Sequence, residues 1–109
     1  MTNNRQLRVA QTIKQEISKI LREIYHAELE SISLTVSYVK IAADLRNVTI
    51  YIAPLFQSIT EETLMPILEE LKPEIRYLLT QSITLKYSPE ICFKFDKGFD
   101  NVDAVYNLK

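Results

Sequence analysis

Between Arg5 and Tyr25, the apolar residues Val9, Ile13, Ile17, Ile20 and Ile24 recur at spacings of three and four. That period gathers them on one face of a helix. At about 100° per residue, Arg8, Gln11, Gln15, Lys19 and Arg22 fall on the opposite side. The outer stripe holds no acid, because Glu16 and Glu23 lie at its edge. From Ile32 to Ile41 the period changes to two. Ile32, Leu34 and Val36 alternate with Ser33, Thr35 and Ser37, and then the phase slips to Val39 and Ile41. A strand with a bulge near Ser37-Tyr38 accounts for the slip. Ala43 to Asn47 reads as a turn, since Asp44 and Asn47 can bond to nearby backbone. Val48, Ile50 and Ile52 then alternate with Thr49 and Tyr51 in a second strand from Val48 to Ala53, which Pro54 ends. The two strands form an antiparallel hairpin.

Ser58 or Thr60 can cap a following helix, with Glu61 and Glu62 near its positive end. Its apolar face is Leu64, Ile67, Leu68 and Leu71. Pro66 suits only a first turn, so regular helix is expected from near Leu64. Pro73 has no amide proton and its ring crowds the preceding turn, so a kink or break is expected at Leu71-Lys72-Pro73. The second piece runs to about Ser82, burying Ile75, Leu78 and Leu79 and exposing Arg76 and Thr80. The last strand is Glu90 to Asp96, with Ile91, Phe93 and Phe95 inward and Cys92 and Lys94 outward. The result is an α+β fold: helix, strand, strand, kinked helix pair, strand. A three-stranded sheet with helices on one face satisfies every period. The other face shows Ser33, Thr35, Thr49, Tyr51, Cys92 and Lys94. Residues 1–97 are expected to form the domain and 98–109 a short, loosely ordered C-terminal tail.

Composition narrows the chemistry. The chain of 109 residues suits a single core. No apolar run could span a bilayer and no signal-like segment opens the chain, so a cytoplasmic, unprocessed protein is expected. A lone glycine rules out glycine-rich phosphate loops. A single His and a single Cys rule out the common zinc clusters. His26 suits the end of the first helix, where a cation meets terminal carbonyls. Cys92 cannot form an internal disulfide and is expected to be a small packing residue. Asp44 reads as a turn former and Asp96 as a strand terminator. No nucleophile elbow or local triad is present. The chain therefore reads as a non-enzyme, with no cofactor and no metal.

Net charge is only −1, so a polyanion would have to be met by the local placement of charge. That placement is polarised. Arg5, Arg8, Lys14, Lys19 and Arg22 face only Glu16 and Glu23 in the first helix. Glu61, Glu62, Glu69, Glu70 and Glu74 surround Lys72 in the later one.

Three blocks of residues carry a resemblance. They are Arg8-Val9 with Glu16-Ile17, Ile20-Leu21 and Glu23-Ile24; Val36 and Val39 with Asp44-Leu45 and Val48 to Ile52; and Ile75-Arg76, Leu78-Leu79, Leu85-Lys86, Pro89 to Ile91, Phe93 and Asp96. In this order and spacing, from about Arg5 to Asp96, they resemble the bacterial ribosome-binding factor A family. The resemblance implies a type II KH-like fold and no catalysis. It implies binding to the small ribosomal subunit, its 16S ribosomal RNA and neighbouring ribosomal proteins. It further implies a part in late maturation and rRNA processing, and in growth in the cold. Leu71-Lys72-Pro73 stands where the family has an Ala-x-Gly kink, Ala42 where it usually has Ser, and Val48 where it usually has Ala. The glycine that permits close backbone approach to a phosphate is therefore missing.

On this reading Arg5, Arg8, Lys19, Arg22, Lys72, Arg76 and Lys86 contact phosphates from one common surface. Such contacts fix position and carry little sequence information. The protein is expected to act as a monomer, with no membrane and no small-molecule substrate. The alternative is a small non-catalytic protein–protein adaptor that uses the acidic helix from Glu61 to Glu74.

Overall fold

The computed structural model describes residues 4–24, 34–54, 59–84 and 88–96. His26, Ile32, Ser33, Lys86 and the expected tail lie outside the described residues. Two helices and three strands follow in the order α1 (Asn4–Glu23), β1 (Leu34–Ile41), β2 (Asn47–Pro54), α2 (Glu61–Ser82) and β3 (Glu90–Phe95). The sheet has β2 at its centre. β1 pairs with it antiparallel and β3 pairs with it parallel. The parallel return is possible because α2 carries the chain back across the sheet.

The register slips between Val36 and Tyr38, which makes Ser37 the extra residue of a bulge. Its hydroxyl donates to the Tyr51 carbonyl at 3.3 Å. The slip keeps Val36, Val39 and Ile41 on the buried side although they are not in simple alternation. The hairpin closes through Ala42 N–H to the Asn47 carbonyl and Leu45 N–H to the Ala42 carbonyl, both at 2.9 Å. Asp44 Oδ1 accepts from the Arg46 amide at 2.9 Å, the local bond expected of an Asp in a turn.

Both helices lie on one side of the sheet, α1 over β1 and α2 over β3, and they also touch each other. Ile13 and Ile17 of α1, Ile50 and Ile52 of β2, and Leu64, Leu68, Ile75 and Leu79 of α2 are completely buried. Val36, Val48, Ile91 and Phe93 are among the other buried members of the same core. Gln6 is the one buried polar residue among those described, and its amide nitrogen donates to the Ile41 carbonyl at 3.3 Å. The bond ties the start of α1 to the end of β1.

Two expectations require correction. The helical pair is one helix, unbroken from Glu61 to Ser82, with Pro66 and Pro73 both inside it. Thr60 rather than Ser58 is the cap, and its hydroxyl accepts from the Thr63 amide at 3.2 Å. Pro66 therefore lies beyond the first turn. The helix survives because each proline removes a single amide donor. Leu64, Ile67, Leu68, Leu71, Ile75 and Leu79 meanwhile bury one continuous stripe on both sides of Pro73. The second correction concerns Cys92, which is exposed rather than packed. Its neighbours Ile91 and Phe93 take the buried side of the strand.

Candidate nucleic-acid interface

The side of α1 that faces away from the sheet carries Arg5, Arg8, Gln11, Gln15, Lys19 and Arg22, all exposed. From Arg5 to Arg22 the helix rises roughly 25 Å at ~1.5 Å per residue. None of the four cations meets a carboxylate among the described residues. The hydroxyls along the helix turn inward to its own backbone, Thr12 to the Arg8 carbonyl at 3.1 Å and Ser18 to the Lys14 carbonyl at 2.7 Å. The stripe is thus a row of uncompensated positive groups on a rigid rod. Near Arg8 the rod borders an open cavity of about 400 Å³, lined by Arg8, Val9, Thr12, Ile83 and Thr84 between α1 and the end of α2.

Lys72 and Arg76 are differently placed. Lys72 Nζ lies 3.0 Å from a Glu69 carboxylate oxygen. The same ammonium sits 5.9 Å from the centre of the Phe93 ring, within range of a cation–π contact. Arg76 donates from Nε to the Pro89 carbonyl at 2.8 Å and from Nη2 to the Ser88 carbonyl at 3.2 Å. Its Nη2 is also 3.3 Å from a Glu90 carboxylate oxygen. Thr80 and Ser88 hydroxyls, 3.1 Å apart, close the same corner.

Both cations therefore turn toward β3, the sheet edge opposite the one that α1 covers. The single basic surface expected from sequence is not formed. Arg5, Arg8, Lys19 and Arg22 stay together, Lys72 and Arg76 are each paired with a carboxylate elsewhere, and Lys86 lies outside the described residues. Sequence reasoning missed the role of Arg76 because its partners are carbonyls of a loop twelve and thirteen residues away. No local pattern announces such a bond.

The family model for ribosome-binding factor A matches residues 5–108. Ribosome-binding factor A of Cereibacter sphaeroides is 34% identical over 108 residues, which is 97% of this chain and 78% of that protein. The chain belongs to the ribosome-binding factor A family. Solved structures agree on the fold. The crystal structure of ribosome-binding factor A from Thermus thermophilus matches with a TM-score of 0.70 at 17% identity, over 82% of this chain and 93% of that one. A homology model of the Thermus thermophilus factor, fitted into the cryo-EM map of its 30S complex, matches with a TM-score of 0.66 at 17% identity, over 82% and 92% of the two chains. The α+β, KH-like arrangement of the ribosome-binding factor A family is thus present here.

One feature of KH recognition is altered in this member. KH domains clamp nucleotide backbone with a Gly-x-x-Gly loop between two helices. Here α2 runs through that point, so its amides are used within the helix and do not project toward a ligand. The exposed side of α2 also carries Glu62, Glu69, Glu70 and Glu74. A phosphate backbone would meet four carboxylates there and four free cations on α1.

Proposed function

We propose that this chain is a non-catalytic assembly factor that binds the small ribosomal subunit in the cytoplasm and lays α1 against phosphates of 16S ribosomal RNA. Membership of the ribosome-binding factor A family supports the partner, as does the 30S complex of the Thermus thermophilus factor. The observation that carries the RNA face is the uncompensated stripe Arg5, Arg8, Lys19 and Arg22. Phosphate contacts of this kind position a protein, and the shape of the folded RNA then supplies selectivity. Lys72, Arg76 and Lys86 stand outside these phosphate contacts. Lys72 must leave Glu69 and Arg76 must leave Glu90 before either pairs with a phosphate. The protein acts as a monomer during late maturation of the subunit, assists rRNA processing and matters most in cold growth.

A second reading, the protein–protein adaptor, draws on the acidic side of α2. Within the first reading that side faces basic ribosomal proteins beside the RNA. Sucrose-gradient co-sedimentation separates the two. With Arg8→Glu and Arg22→Glu combined, the fold persists and the protein leaves the small-subunit fraction for the top of the gradient. Undiminished co-sedimentation of that variant would favour the adaptor.

A further inference from the structure

We propose that the face of the sheet opposite α1 and α2 is a second nucleic-acid site, a stacking platform for a short stretch of unpaired RNA. The face is built by the bulge. Simple alternation from Val36 would turn Tyr38 into the core, and the extra residue Ser37 turns it out. Tyr38 then lies directly opposite Tyr51, and Tyr51 opposite Lys94. The next row is Lys40, Thr49 and Cys92. The two tyrosine rings are 5.7 Å apart at an angle of 51°, so each buttresses the other while both remain partly exposed.

Lys40 and Lys94 are exposed and meet no carboxylate among the described residues. Of the carboxylates that border the two rows, Glu90 is engaged by Arg76 and Asp96 is not free. Two flat rings flanked by two free ammonium groups match what a single strand offers: bases that stack and phosphates that pair. The exposed Lys40 and Lys94 favour RNA over a protein occupant, since protein interfaces are depleted in lysine while phosphates pair with ammonium groups. α1 and α2 cover the opposite side of the sheet, so this platform and the α1 stripe lie back to back. The site does not rest on the α1 contacts, and its test is separate from theirs.

Cys92, the only cysteine and an exposed one, reports on this face without any substitution. The probe is the alkylation of Cys92 by a maleimide, with and without a short oligouridylate or oligoadenylate. Bound RNA slows alkylation several-fold. Tyr38→Thr with Tyr51→Thr keeps strand-forming residues and weakens the protecting RNA about tenfold or more, as loss of stacking predicts. Lys40→Gln with Lys94→Gln, which touches no packing, reduces the salt dependence of protection. Arg8→Glu with Arg22→Glu leaves protection intact. An unchanged alkylation rate in saturating RNA overturns the site. So does protection abolished by the α1 variant and spared by the tyrosine and lysine variants. A photo-crosslinker on Cys92 that captures ribosomal protein rather than RNA in small-subunit complexes also overturns it, in favour of a protein occupant.

Discussion

Leu45 is the only described non-glycine residue with a positive backbone φ, at 63°. For a branched aliphatic side chain that conformation costs roughly 1–2 kcal/mol. Leu45 holds it because the side chain packs against the core while Asp44 fixes the turn. The usual order of substitutions should therefore reverse. Leu45→Gly loses packing and relieves strain, whereas Leu45→Ala loses packing and keeps the strain. In urea unfolding, Leu45→Ala should be the less stable by about 1 kcal/mol, and equal stability would remove the strain from the account. Arg76 gives a second residue-level expectation. Arg76→Gln strands the carbonyl of Pro89, a buried residue, so stability should fall by about 1–2 kcal/mol. Arg22→Glu, on the exposed stripe, should leave the melting temperature almost unchanged. The comparison separates a cation used by the fold from one left available to a ligand.

The elements were largely legible in the sequence because each one buries a stripe of the right period. Ile13, Ile17 and Ile20 announced α1, and Val48, Ile50 and Ile52 announced β2. Even the bulge could be read from Val36 and Val39, because a buried face cannot tolerate a shift of one residue. The continuity of α2 was not legible. Proline rules describe a local cost, and here tertiary burial on both sides of Pro73 outweighs it. That residual cost is measurable. Pro73 is exposed, so Pro73→Ala removes no packing and restores a donor to the Glu69 carbonyl. A helix-interior proline costs about 3 kcal/mol against alanine, offset by up to ~1 kcal/mol from a stiffer unfolded chain. A gain of about 2–3 kcal/mol in denaturant unfolding is expected, and no gain would mean that the proline leaves the helix unstrained.

For the whole molecule, the inventory of charge could be read from the sequence but not its arrangement. Glu90 captures Arg76, and Glu69 captures Lys72 beside Phe93. The Glu90 pairing could not be weighed without knowing that β3 lies under α2, whereas Glu69 and Lys72 stand three residues apart on one helix. Net charge of −1 therefore hides a molecule with an acidic helix, two paired cations and one free basic rod. This arrangement sets the salt dependence of binding. Counterion release scales with the phosphates neutralised, at ~0.7–0.9 per contact in a log–log plot. Seven engaged cations would give a slope of roughly −5 to −6, whereas the four on α1 give roughly −3 to −4. Titrating small subunits over a range of potassium concentrations should yield the shallower value. Arg8→Glu should flatten it by about one more unit, because one phosphate contact is lost. Arg76→Gln, corrected for its lower stability, should leave the slope where it was. A slope near zero in the unaltered protein would mean that phosphates do not hold it to the subunit, and the acidic side of α2 would then be the surface that does.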